Sequence, residues 1–196
     1  NKNLIKDEKV LNWINLHASD KRYNVHKTIL SITYQNQQPL DLLAQIINLD
    51  FAQYLLNKQP YLTRHQIISL KEKGFHFGSH SCDHPEYRFL SLTEQIRQTK
   101  TSIEEITSQF LLPYKSFAFP FTDYGISKDF FQAIFEKEKI VDISFGCAGL
   151  KKDTFPCHVQ RIPFEMSDLS AKEIVNTEYV YFLIKAFFGK NTIKRK

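Results

Sequence analysis

The sequence has few cysteines, glycines and prolines, and it lacks a long hydrophobic run. Its three cysteines, Cys82, Cys147 and Cys157, show no Cys-x-x-Cys spacing, which argues against a disulfide framework and a thiolate zinc site. Six glycines and seven prolines, without any low-complexity stretch, exclude a fibrous or linker-like chain. The longest apolar run, residues 179–188, carries Lys185 and has about half the length of a bilayer span, so we expect no transmembrane segment.

Positive charge is in modest excess, with 26 Lys and Arg against 21 Asp and Glu. Most basic residues alternate with acids, which is typical of solvated helix faces and argues against a nucleic-acid partner. The exception is the tail, where Lys190, Lys194, Arg195 and Lys196 are unopposed; we interpret it as a frayed basic terminus. No signal peptide is visible, and the sequence starts at Asn1 rather than at methionine. Cytoplasm and cell envelope both stay open as locations, and so does the oligomeric state.

The pattern of apolar residues divides the chain into two parts. Residues 1–60 have mixed helical spacing and predict a helical segment, either an insertion or a lid, and residues 61–196 form the main part. Its helices are predicted at 64–73 after a Thr63–Gln66 capping box, from a Thr93 cap to Phe110, at 127–139, and at 171–188 after Ser170. Strands are predicted at 75–79, 116–120, 140–146 and 159–164.

Strands that alternate with helices predict an α/β fold with a parallel sheet or barrel. In such folds the loops that follow the strands carry the functional site. His80, Asp123 and Gly146 lie in loops of this kind.

Two histidines stand four residues apart in the segment "FGSHSCDHPEY", at residues 77–87. His80 and His84 therefore allow two interpretations, a metal clamp or a polar turn. Neutral imidazole is a preferred zinc ligand, and a catalytic zinc site takes three protein ligands and one water. The position behind a predicted strand favours the metal clamp.

Two motifs in this order resemble the polysaccharide deacetylases, the family of the chitooligosaccharide deacetylase or nodulation-protein-B homology domain. The first is "GFHFGSHSCDHPEY", in which His80, His84 and Pro85 match the family's metal-binding signature. A long helix follows, and then "SFAFPFTDYG" supplies an aromatic-Pro-aromatic motif at Phe119, Pro120 and Phe121. The resemblance covers about residues 61–165.

The resemblance implies a distorted (β/α) barrel, here incomplete at its N-terminus, and a hydrolase that removes N-acetyl groups from a glycan. A divalent metal, usually Zn²⁺, would be held by His80 and His84. The N-acetylated glycan would lie against Phe119, Pro120, Phe121 and Tyr124.

The chain departs from the family at the acidic residues. Family members carry an Asp-Asp pair on a first strand, and this sequence contains no such pair. The family's aspartate base is therefore not found in this sequence and the catalytic residues are unknown, with Asp123 and His158 as secondary candidates, His158 as a general acid. Two explanations stay open: a fragment of a deacetylase, or a non-catalytic saccharide-binding pseudoenzyme.

Overall fold

The computed structural model describes residues 7–20, 22–164 and 168–196 and contains eight α-helices and five short strands in that part of the chain. The helices are α1 (Glu8–His17), α2 (Val25–Ser31), α3 (Gln38–Ile46), α4 (Phe51–Lys58), α5 (Arg64–Glu72), α6 (Leu92–Phe110), α7 (Lys128–Gln132) and α8 (Ala171–Phe187). The strands are β1 (Ser116–Ala118), β2 (Ile143–Gly146), β3 (Lys152–Asp153), β4 (His158–Gln160) and β5 (Thr192–Ile193). No helix of these described residues is long and apolar enough to cross a membrane.

The chain divides into two compact units, Asn1–Ile67 and Ile68–Lys196. In the first unit, α1 and α3 bury Val10, Trp13, Ile14 and Leu43 in a small core. The indole Nε1 of Trp13 donates to the carbonyl of Pro39 at 2.8 Å. This bond satisfies the one polar atom of a large buried ring.

The second unit contains a parallel sheet in the order β1-β2-β4. This result confirms the parallel arrangement that alternating helices and strands predict. A second, two-stranded sheet pairs β3 with β5 near the end of the chain. The described residues form no closed barrel.

Aromatic side chains form most of the core of the second unit. Phe117 and Phe119 from the β1 region lie among Tyr87, Phe130 and Phe131, all of them fully buried. Their ring centroids are 5.0–6.0 Å apart, mostly edge to face, as aromatic quadrupoles prefer. This core fixes one face of β1 and thereby the loop that follows it.

The structure confirms two of the three helix N-caps that the sequence predicts. Thr63 and Gln66 form the capping box before α5, and Ser170 and Glu173 form another before α8. The predicted cap at Thr93 is wrong, because the Ser91 side chain accepts from the Glu94 backbone and starts α6 two residues earlier. Serine and threonine are both preferred N-cap residues, so the presence of either residue type does not by itself locate the start of α6.

All four predicted strands are shorter than expected, and the first and the last differ most. Residues 75–79 contribute a single bridge, Ser79 to Phe117, and no full strand. The last predicted strand, 159–164, is reduced to β4. Residues 161–163 leave the sheet after β4 and form one wall of a cleft next to His80.

Candidate metal and saccharide site

His80 lies at the carboxyl end of the parallel sheet. The backbone of Ser79 pairs with β1 through Ser79 N to Ser116 O at 2.8 Å and Ala118 N to Ser79 O at 2.9 Å. His80 follows directly, and its Nδ1 lies 2.7 Å from the carbonyl oxygen of Ala118. Since a carbonyl only accepts, Nδ1 carries the hydrogen and Nε2 presents its lone pair.

The two histidines converge on one point. Nε2 of His84 lies 3.0 Å from Nε2 of His80. Two imidazole nitrogens that share a tetrahedral zinc ion at about 2.0–2.1 Å would lie roughly 3.3 Å apart. The pair therefore needs only a shift of a few tenths of an ångström to hold one ion, and otherwise shares a hydrogen bond.

The surroundings of His80 favour the neutral ring. Burial lowers the pKa of His80, while the hydrogen bond to the Ala118 carbonyl raises it and nearby positive charge lowers it further. The net direction is downward. Neutral imidazole is the form that binds a metal ion, and the carbonyl bond on Nδ1 is the usual device that orients such a ligand.

His84 and two residues near it have left-handed backbone conformations. Ser81 has φ of 68°, His84 of 56° and Phe121 of 54°. Such values are uncommon without glycine and cost on the order of 1 kcal/mol or more each. The Ser81 hydroxyl accepts from the His84 backbone N–H at 2.9 Å and holds the turn closed. Phe121, from the other motif, sets its ring edge to face with His84 at 4.7 Å between centroids.

Cys82 and Asp83, which lie between the two histidines, contact helix α6 rather than the histidine pair. Nε2 of Gln98 in α6 donates to the Asp83 carboxylate at 2.7 Å, and its Oε1 accepts from the Cys82 backbone N–H at 2.9 Å. Burial, followed by the charge of Asp83, raises the pKa of the Cys82 thiol, which disfavours the thiolate that a metal would need. In the described part of the chain, no third His, Cys, Asp or Glu joins the pair in a ligand group.

Among the described residues, one group of three side chains could together ligate a metal ion, and it does not include His80 or His84. Asp123, Asp153 and His158 offer donor atoms within 4.8 Å of one another. Arg195 reaches into this group: its Nη2 donates to the carboxylate of Asp123 and, at 2.7 Å, to that of Asp153. All four side chains are almost completely buried.

The guanidinium of Arg195 already supplies the positive charge that this group needs. It also stacks over the ring of Phe131, with 4.5 Å from Cζ to the centroid. The residues therefore do not fit a metal ion, because the cation position is taken by a side chain of the protein. The interpretation of the tail as a frayed basic terminus is wrong at Arg195.

Asp123 and His158, the secondary candidates for catalysis, belong to this buried network. Nε2 of His158 lies 3.1 Å from the Asp123 carboxylate, and its Nδ1 lies 2.6 Å from Oγ of Ser144. Burial would raise the pKa of Asp123, but hydrogen bonds from His158, Arg195 and Gln160 hold it well below its usual range. Gly146 lies against this carboxylate, and a Cβ there would come within 2.6 Å of it.

The aromatic-Pro-aromatic motif is divided between core and surface. Phe119 and Pro120 are buried, Phe119 completely, whereas Phe121 is 65% and Tyr124 is 73% exposed. A ring without exposed area offers no face to a sugar. Of the four predicted saccharide contacts, the structure leaves Phe121 and Tyr124 accessible.

A cleft of about 500 Å³ runs from His80 past Phe121. Its remaining walls come from the loops after β2 and β4, and they include Cys147, Arg161, Ile162 and Pro163. A cleft at the carboxyl ends of parallel strands is where α/β folds bind their ligands.

A comparison with models of protein families matches residues 21–134, more than half of the chain, to polysaccharide deacetylases. The chain belongs to the polysaccharide deacetylase family. No curated protein and no solved structure matches it.

Membership of the polysaccharide deacetylases confirms the resemblance drawn from the two motifs. It implies a nodulation-protein-B type of fold and carbohydrate N-deacetylase chemistry on N-acetylated glycans, which is generally metal-dependent in this family. His80 and His84 fit such a metal as two of its ligands, on the evidence of their converging nitrogens.

Sequence reasoning missed two arginines of this polysaccharide deacetylase. Arg195 sits in a tail whose charges suggest solvent, and nothing local indicates that it pairs with residues 72 and 42 positions earlier. Arg161 follows a predicted strand in the segment "VQRIPF". The rule that placed His80 at a strand end would have drawn attention to Arg161 if the end of β4 had been recognised.

Proposed function

We propose that this chain forms part of a divalent-metal-dependent carbohydrate N-deacetylase. The observation that carries the proposal is the convergence of the His80 and His84 Nε2 atoms, 3.0 Å apart, at the carboxyl end of a parallel sheet. Zinc is the ion that a site of imidazole nitrogens favours. A bound ion of this kind polarises an amide carbonyl and lowers the pKa of its water.

The chain's own residues would orient and enclose the acetamido group. The Ala118 carbonyl holds the His80 ring in one tautomer, and the Ser81 hydroxyl holds the turn that carries His84. The exposed ring of Phe121 forms the wall beside them and would stack on a sugar face, with Tyr124 as a second exposed ring.

The third ligand and the catalytic base would come from outside these 196 residues. The sequence lacks the Asp-Asp pair that the family resemblance implies, and no carboxylate of the described residues completes the histidine pair. The parallel sheet would then be one part of a distorted (β/α) barrel. Residues 1–60 would form an insertion or lid, and residues 61–196 would form the C-terminal part of the barrel.

A saccharide-binding domain without catalysis is the second candidate. It is favoured by the exposed aromatic rings together with the missing carboxylates. In that case Phe121 and Tyr124 would bind sugar, and the histidines would share a hydrogen bond rather than a metal ion.

Acetate release distinguishes the two candidates. The protein expressed from the complete reading frame, supplied with Zn²⁺, should release acetate from N-acetylated chito-oligosaccharides, and His80→Ala with His84→Ala should abolish the release. His76→Ala is the matched control. His76 is a nearby histidine that does not belong to the pair, and its ring packs edge to face on Tyr114. Sugar binding without acetate release, in a protein with no Asp-Asp pair upstream, would favour the saccharide-binding domain.

A further inference from the structure

Arg161 carries a positive charge into the cleft next to the histidine pair. It is the first residue after β4, and its backbone N–H donates to the Gly146 carbonyl at 3.1 Å. Arg161 lines the same cleft as His80 and Phe121.

Backbone carbonyls fix the orientation of this guanidinium. Nε of Arg161 donates to the carbonyl of Gly146 at 2.9 Å, and Nη2 donates to the carbonyl of Phe119 at 3.2 Å. Both carbonyls lie at the ends of parallel strands, so the sheet itself holds the side chain. The planar fork is therefore largely pre-ordered, which reduces the entropy lost when it binds an anion.

The charge of Arg161 is not neutralised within the described part of the chain. There, no carboxylate lies within 4.0 Å of Arg161, and its Nη1 makes no hydrogen bond. Arg195 gives the contrast, because its guanidinium contacts two carboxylates and is almost completely buried. Carbonyls accept from two of the Arg161 nitrogens, and among the described residues no carboxylate offsets its positive charge at the cleft.

We propose that Arg161 binds a carboxylate of the substrate, so that this deacetylase acts on an acidic N-acetylated glycan. The inference rests on the proposed function and names its substrate class. Arginine pairs with carboxylates through parallel N–H to oxygen bonds, and Nη1 is available for them. Phe121, Ile162 and Pro163 supply the apolar wall on which the carbon face of the same sugar would lie.

The test compares sugars that differ by a carboxylate. N-acetylglucosamine is the neutral probe, and the acidic probes are its C6-oxidised uronic acid and N-acetylmuramic acid, which carry the carboxylate at different positions of the ring. Binding to the whole chain is followed by NMR titration at neutral pH without metal. We expect at least one acidic sugar to bind roughly tenfold more tightly than the neutral one, as a charge-assisted hydrogen-bond pair provides.

Variants of Arg161 assign the preference to this side chain. Arg161→Gln should bind the acidic and the neutral sugars with equal affinity, and Arg161→Lys should keep part of the preference for the acidic sugar. Because Arg161 also bonds two carbonyls, the urea midpoint of each variant is measured first. If Arg161→Gln does not fold, the Arg161→Lys and unmodified proteins decide the question through the loss of preference at high salt.

The outcomes separate this inference from the proposed function. Equal binding of acidic and neutral sugars, or a preference that persists in a folded Arg161→Gln protein, overturns the role of Arg161 and leaves the deacetylase proposal standing. Failure of all three sugars to bind overturns the role of Arg161, and acetate release by the protein from the complete reading frame then decides the proposed function on its own.

Discussion

The guanidinium of Arg195 donates two hydrogen bonds to Asp123, one to its carboxylate and one, at 2.8 Å, to its backbone carbonyl. The two residues are 72 positions apart and nearly completely buried. Through this pair the last residues of the chain are fixed beside the loop that follows β1. Part of the second unit is thereby stabilised by Arg195.

Removal of Arg195 should destabilise the protein strongly. Arg195→Ala leaves the buried carboxylates of Asp123 and Asp153 without their cation, and we expect a loss of about 3–5 kcal/mol in the free energy of unfolding. Lys194→Ala is the matched control, because Lys194 is exposed and should change the value by less than about 0.5 kcal/mol. Urea unfolding measures both. An Arg195→Ala protein as stable as Lys194→Ala would refute the role of this pair.

Stability should depend on pH through Asp123. Its pKa in the folded protein lies well below the unfolded value of about 3.9, so the unfolded chain binds more protons in acid. The stabilisation is complete above about pH 5 and is lost as the pH falls toward the folded pKa. The difference in unfolding free energy between the unmodified protein and Asp123→Asn should therefore shrink between pH 6 and pH 3. A constant difference over this range would contradict the assignment.

The two phenylalanines of the aromatic-Pro-aromatic motif should respond in opposite ways. Phe119→Ala should cost about 3–5 kcal/mol of stability because it empties the core. Phe121→Ala should change stability by less than about 1 kcal/mol, since its ring is exposed, and should weaken sugar binding severalfold. Thermal unfolding and NMR titration with N-acetylated chito-oligosaccharides measure the two effects. A Phe121→Ala protein with full sugar affinity would exclude this ring from the site.

Local patterns in the sequence predicted much of the second unit. The Thr63 and Ser170 caps and the parallel sheet follow from periodicity and from residues close in sequence, and the structure confirms them. The position of His80 and His84 behind a predicted strand likewise made them candidate metal ligands. These features depend on backbone preferences that a few neighbouring residues decide.

Features that depend on distant residues could not be predicted. Arg195 is part of a basic tail by composition, and only the pairing of β5 with β3 brings it to the Asp153 carboxylate. The motif around Pro120 has two phenylalanines of equal hydrophobicity, and the turn after β1 decides which of them is buried. Arg161 becomes notable only when the carbonyls of two other strands are seen to hold it.

Zinc titration by isothermal calorimetry on this chain, with the His80→Ala, His84→Ala double variant and His76→Ala beside it, tests the metal site itself. We predict weak one-to-one binding that disappears in the double variant and persists in His76→Ala, because two imidazoles form an incomplete ligand set. Binding that the double variant retains would contradict the assignment of the site to His80 and His84. Tight binding lost in that variant would contradict the proposal that the third ligand lies outside these residues.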